Sequence, residues 1–313
     1  MKLLFVILAV VGYFEYSTSR HYRWVNVFEK GTGCVQNCGE GTWPMYRIPV
    51  EAFGKLWMVG RNTVSSSSDG VRWSTDIPKT DTGERYGSTI TFFDNKLWMI
   101  GGMKTWDEFR NDVWYSTNGI EWTLATAQAP WKARRGHSTV VYDGRLWVLG
   151  GVESSGGRNQ LPSKRLNDVW SSADGITWTL VTEHAPWEPR ESHVSGVLKG
   201  KMWVVGGFEQ NDVWVSANGR DWESKTGNAQ WKPRRAFGGI VFDNKLWMYG
   251  GMGFNDVWSS IDGTQWELVT REAPWTKRVP GYSIVFQNKL WMYGGKTGRA
   301  EDLGDDVWVL TLH

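Results

Sequence analysis

Apolar residues in this chain come in short runs that alternate or are solid, never in a three-to-four residue period. Ser138-Thr-Val-Val-Tyr142 alternates, and Leu146 to Leu149 is continuous. Between them stands Asp143-Gly144, a pair that favours a tight hairpin. A polar stretch of variable length leads to Asp168-Val-Trp-Ser171, then Asp174-Gly175, then Trp178 to Val181. The pattern predicts four short antiparallel strands, A to D.

The pattern repeats along the whole chain, and tryptophan marks it. Leu-Trp or Met-Trp in strand B supplies Trp57, Trp98, Trp147, Trp203, Trp247 and Trp291, at spacings of 41, 49, 56, 44 and 44. Strand C contributes Trp114, Trp170, Trp214, Trp258 and Trp308. Strand D contributes Trp73, Trp122, Trp178, Trp222 and Trp266. The D–A linkers contribute Trp131, Trp187, Trp231 and Trp275. Repeats of this length, each of four strands, predict an all-β, six-bladed β-propeller of four-stranded antiparallel blades. The last repeat ends in strand C at Val307 to Thr311, and Arg23-Trp24-Val-Asn-Val-Phe28 matches the missing strand D. The N-terminal strand is therefore expected to complete the last blade, closing the ring and removing exposed sheet edges.

Composition narrows the classes. Lys and Arg number 35 against 33 Asp and Glu, so there is no basic footprint for nucleic acid. Twenty-three tryptophans and a net charge of +2 exclude a disordered chain, and 2 cysteines cannot staple a disulfide scaffold. Met1-Lys2, the apolar run Leu3 to Val11 and Ser17-Thr-Ser19 read as a signal peptide over 1–19. The expectation is a secreted protein (periplasmic in a bacterium) with no membrane span in its mature chain. Residues 20–313 then form a single propeller, expected to be a monomer. In an exported chain Cys34 and Cys38 are expected to form a local disulfide. No metal or other cofactor is expected, because no His or Cys falls at ligand spacing.

The Gly-Gly doublet ending strand B (101–102, 150–151, 206–207, 250–251, 294–295), the arginine before strand A and the tryptophan of strand D together resemble the kelch-repeat propellers. The C–D hairpin Ser171-Ser-Ala-Asp-Gly-Ile-Thr-Trp178 is similar to the Asp box of sialidase-type propellers, where its role is structural. Kelch-like folds include copper-radical galactose oxidases and sialic-acid epimerases. The first chemistry needs a cysteine linked to a tyrosine, and neither Cys34 nor Cys38 is placed for it.

Two ladders carry specific expectations. Arg85, Arg134, Arg190, Arg234 and Arg278 each precede their strand-B tryptophan by 13 residues, in blades that also carry Asp112, Asp168, Asp212, Asp256 and Asp306. Ion pairing between the two sets is the simpler expectation; a ring of arginines binding an anion at the channel mouth is the sharper one. Each strand-C tryptophan is expected to stack on the linker tryptophan following its own blade: Trp114 on Trp131, Trp170 on Trp187, Trp214 on Trp231, Trp258 on Trp275 and Trp308 on Trp43. Blade one departs from the pattern, with Thr63 for Asp, Ser65 for Trp and Thr82 for the linker Trp. His137 and His193 share one repeat position, which points to a structural role.

Function is expected on the face that varies. The B–C loops range from Met252-Gly-Phe254 to 103–110, 152–166 and 296–304. Variation confined to one face of a repeat protein marks binding. The expected function is non-catalytic binding of a protein or glycan there, with Trp106, Asp107, Arg110, Glu153, Arg158, Arg165, Glu209 and Arg299 as candidate contacts. Arg47 is a further candidate. Tyr46-Arg-Ile-Pro49 resembles the sialidase motif whose arginine grips a substrate carboxylate, and a guanidinium can do so bidentately. The alternative is therefore a carbohydrate-active enzyme, epimerase-like or sialidase-like, centred on Arg47.

Overall fold

The computed structural model describes residues 22–28, 47–60, 63–74, 77–79, 82–83, 85–105, 107–154, 164–297 and 303–312. The expected leader, the expected Cys34–Cys38 disulfide, Trp43, Trp106, Arg158 and Arg299 lie outside the described residues. The sheets are the six predicted blades. Blade three runs from Ser138–Tyr142 (A) and Arg145–Glu153 (B) to Arg165–Ser172 (C) and Thr179–Thr182 (D). Blade six takes strands A, B and C from Arg278–Phe286, Lys289–Thr297 and Leu303–Leu312, and strand D from Tyr22–Phe28 at the other end of the chain. Tyr22 pairs with Leu312 and Trp24 with Leu310, so the N-terminal strand closes the ring as expected. Strand A of each blade lies against strand A of the next, blade six on blade one included, which makes the A strands the inner wall.

Blade one is the irregular member. Its strands A to C are Ile48–Ala52, Lys55–Val59 and Thr63–Ser67. Strand D shrinks to Ile77–Pro78, so Trp73 precedes the ladder there instead of opening it.

Each tryptophan ladder has its own packing role. Strand-B indoles donate to the carbonyl five residues back, as Trp98 does to Phe93 at 3.0 Å and Trp147 to Tyr142 at 2.9 Å. Five of the six rings lie under the C–D turn glycine of the following blade, and Trp247 meets Tyr22 of the closing strand instead. At Gly175, with φ +73°, an added Cβ would sit 2.2 Å from the Trp98 ring. That turn needs glycine twice over, for its left-handed backbone and for this approach. The turn is held as the Asp-box likeness implies: Ser172 Oγ accepts from Gly175 N (2.8 Å), and Asp174 Oδ1 accepts from Ile176 N and Thr177 N (both 2.8 Å).

The expected stacking partners of the linker tryptophans are wrong by one blade. Trp131 meets Trp178 edge-on at 6.1 Å, Trp187 meets Trp222 at 5.9 Å, and Trp231 meets Trp266 at 5.9 Å. Trp275 meets Trp24 at 4.6 Å and Trp308 at 5.7 Å. Each linker tryptophan therefore packs into the blade it precedes. The reason is polar: the strand-C indole turns its N–H to the aspartate two residues back, as Trp170 does to Asp168 at 2.8 Å. That fixes its ring away from the linker that follows. The expected Trp308–Trp43 pair lies outside the described residues. Edge-on pairs of this kind contribute about 0.5–1.5 kcal/mol each beyond area burial.

Candidate functional site

The site is the face built by the B–C and D–A loops, and its foundation is the arginine ladder. Arg134 reaches Asp168 with both terminal nitrogens (2.6 and 2.7 Å) and also donates to Gly150 O at 2.9 Å. Arg190 does the same to Asp212 at 2.8 and 2.7 Å. Arg85 pairs with Asp112, Arg234 with Asp256 and Arg278 with Asp306. All five arginines are buried. In all five the terminal nitrogens are held by a carboxylate and backbone carbonyls, and only Arg85 leaves its buried Nε without a partner. The ion-pairing expectation therefore holds, and these arginines are already occupied rather than offered to an anion. At Asp256 burial pushes the carboxyl pKa up, but the hydrogen bonds from Arg234 and Trp258 outweigh it and leave it below the ordinary value.

Beneath this layer the channel wall is polar in blades two to four. Thr89 Oγ1 meets His137 Nε2 at 3.2 Å and Thr139 Oγ1 at 2.6 Å. One blade on, Ser138 Oγ meets His193 Nε2 at 2.9 Å and Ser195 Oγ at 2.8 Å. Blade five reaches the same end differently. Gly238 leaves room for the Tyr249 ring, whose hydroxyl bonds Ser283 in blade six. Burial, reinforced by Arg134 and Arg190 respectively, pushes the pKa of His137 and His193 down to about 3. Both imidazoles are therefore neutral hydrogen-bonding struts, in line with the structural role expected of them.

Strand-A register places Arg47 at the repeat position of His137 and His193, three residues before the partner of the strand-B tryptophan. Its guanidinium points to Ser65 Oγ and Thr63 Oγ1, both at 3.4 Å. These two hydroxyls occupy the positions of Trp and Asp in the other blades. Arg47 thus reaches, from a different backbone position, the spot that the ladder arginines fill elsewhere.

Two residues after the ladder arginine, blades two, three and four bond to one another through the backbone. Gly136 N donates to Gly87 O at 3.0 Å and Ser192 N to Gly136 O at 2.8 Å, so neighbouring blades converge directly at this level. Arg135, Glu191 and Arg235 stand beside that junction and join a chain of contacts across blades two to five. Arg135 lies over the Phe109 ring at 5.9 Å and pairs with Glu191 at 3.0 Å. Glu191 also holds Arg165 at 3.4 Å. The guanidiniums of Arg165 and Arg235 lie over the Phe208 ring at 3.9 and 4.1 Å. Arg235 continues to Glu209 at 2.7 Å.

Of the candidates read from the sequence, the structure brings Arg165 and Glu209 into this cluster. Arg110 instead pairs with Glu108 at 2.6 Å within the blade-two hairpin, formed by Met103–Thr105 and Glu108–Phe109. Asp107 is exposed at its tip, and Glu153 is half-buried at the end of strand B of blade three. Arg135, Glu191, Phe208 and Arg235 were missed. The signal was present in the repeats: after the ladder arginine of blades two to six come Tyr86, Arg135, Glu191, Arg235 and Val279, a variable position at a fixed place.

Among the described residues no group of three His, Cys, Asp or Glu side chains is placed to hold a metal ion. No helix there is long and apolar enough to cross a membrane. No curated protein matches the sequence. Among solved structures, the one titled "Structure of YjhT" superposes with a TM-score of 0.69 at 17% identity, covering 88% of this chain and 99% of that one. At that identity the likeness establishes the fold alone. The family model described as the KLHDC2/KLHL20/DRC7 Kelch-repeats domain matches residues 51–251, more than half of the chain. Together with the six-bladed ring and its Arg–Asp and tryptophan ladders, this match means that the chain belongs to the kelch-repeat domain family.

Proposed function

We propose that this propeller is a non-catalytic, exported binding module that grips a protein partner on its B–C and D–A loop face. The observation that carries the reading is the Arg135–Glu191–Arg165–Phe208–Arg235–Glu209 cluster. Arginines and aromatic rings are the side chains that dominate binding energy at protein interfaces. Here they are pre-stacked, so little side-chain entropy is lost when a partner covers them. The arginines at this mouth already hold its carboxylates, an arrangement suited to recognition rather than to proton transfer. The variable B–C loops 103–110, 152–166 and 296–304 belong to the same face by topology and would provide the specificity-bearing rim. The test is affinity for a purified partner. Phe208→Ala and the double reversal Arg165→Glu/Arg235→Glu should each weaken it at least tenfold, while Arg145→Glu beside the opposite A–B turn should leave it unchanged. Equal effects of the two reversals would refute the assignment of the face.

A further inference from the structure

Between blade five and its flanking linkers lies a cleft of about 400 Å³, lined by both D–A linkers, the B–C loop and strands C and D of that blade. The B–C loop on this side is the three-residue Met252-Gly-Phe254, of which Gly253 and Phe254 line the cleft. The floor is apolar and aromatic, made by Phe254, Trp258 and Leu268 above the Arg234–Asp256 pair. Phe254 lies over the Arg234 guanidinium at 3.9 Å, and the Trp258 indole N–H is held by Asp256 at 2.8 Å. Both rings are thus fixed in place. The volume is near the lower end of what small binding pockets span, and suits one large side chain.

The rim is cationic. Lys232, Arg271 and Lys277 line the cleft together with two acids, Glu272 and Asp256, the second already paired with Arg234. Neither the three cations nor Glu272 forms an ion pair with another described residue, whereas the arginines of the central cluster all do. The internal repeats show that this charge is particular to blade five. Where blade five has Lys232, Arg271 and Lys277, blade four has Glu188, Gly227 and Pro233, and blade three has Lys132, Glu183 and Pro189. Gln230 stands where the other linkers have Pro130, Pro186 and Pro274. Its side-chain carbonyl accepts from Trp266 N at 3.0 Å, so the amide N–H₂ is the group it can offer a ligand.

We propose that this cleft is a docking subsite for an acidic peptide segment. One apolar side chain of the segment enters between Phe254, Trp258 and Leu268. Flanking carboxylates meet Lys232, Arg271 and Lys277, and a peptide carbonyl accepts from Gln230. The proposal rests on the face reading above, since the cleft opens among the same loops, and it adds the partner's chemistry.

The experiment is fluorescence polarisation with the full mature chain and labelled peptides Asp-Glu-X-Asp-Glu, X being Gly, Leu, Phe or Trp. An apolar X should bind at least tenfold tighter than Gly, and binding should weaken steeply with salt. Lys277→Glu and Arg271→Glu, both at exposed positions, should each lower affinity about tenfold or more with an unchanged melting temperature. Arg235→Glu, in the central cluster, should leave peptide affinity as it is. Absence of binding, or indifference to X, overturns the cleft proposal. Loss on Arg235→Glu without loss on Lys277→Glu also overturns it, while leaving the face reading standing. Indifference of peptide binding to all three reversals overturns the cleft, and insensitivity of the purified partner to Arg165→Glu/Arg235→Glu separately overturns the face.

Discussion

Lowering the pH from 7.5 to 5 should destabilise this protein through two residues. His137 and His193 are buried in the inner wall, with pKa held near 3 in the folded protein against 6.5 for the free side chain. Because the folded value is the lower one, protonation favours the unfolded chain. The stability these residues contribute is fully present above pH 6.5 and is lost as pH falls below it. One pKa unit corresponds to about 1.4 kcal/mol, so at pH 5 each histidine costs about 2 kcal/mol and the pair about 4 kcal/mol. The carboxylates with lowered pKa titrate below this window: Asp69, Asp174, Asp256 and Asp262 start from 3.8, and the exposed Glu223 from 4.5. The assay is urea unfolding at pH 7.5 and 5.0, for the wild type and for His137→Phe/His193→Phe. Phenylalanine is what the chain itself places at this repeat position in blade five, as Phe237. The wild type should lose about 4 kcal/mol and the double variant under about 1 kcal/mol. An equal loss in both would show that the buried imidazoles do not govern acid sensitivity.

Other expectations follow from the same geometry. Gly175→Ala should cost about 3 kcal/mol, combining left-handed strain with overpacking on Trp98. Gly144→Ala, also at positive φ but with nothing within 4 Å of the new Cβ, should cost only about 1 kcal/mol. Thermal melting of the two variants separates these contributions. Asp168→Ala strands the fully buried Arg134 and should cost about 3–5 kcal/mol in chemical denaturation. The proposed export is checked by N-terminal sequencing of the protein from its native source, which should begin near residue 20; a retained Met1 would contradict the leader reading.

Much of the fold was legible because each repeat solves the same packing problem. The strand-B tryptophans, the Asp-Gly turns and the match of Trp24 to Trp178 were enough to place every blade and the closing strand. What the sequence hid was direction. A tryptophan in a linker looks equally close to the blade before it and the blade after it. Only the Trp170–Asp168 hydrogen bond shows why the strand-C ring turns away from Trp187. The site was hidden for a related reason. Loop length drew attention to Arg110 and Glu153, but the central cluster depends on the residues that immediately follow Arg134, Arg190 and Arg234. What brings Arg135 and Glu191 together is the backbone bonding of neighbouring blades beside them, such as Gly136 to Gly87 and Ser192 to Gly136, which leaves no mark in composition. Arg47 stood out by its motif, and its place opposite Thr63 and Ser65 emerged only from the strand register.

The central claim is that one face of the ring does the binding, and site-specific photo-cross-linking tests it most directly. A photoreactive side chain placed at Asp107 or Arg235, on the loop face, should give a discrete covalent adduct with the partner. The same group at Arg145, beside the opposite A–B turn, should give none. Adducts from Arg145 with none from Asp107 and Arg235 would contradict the account.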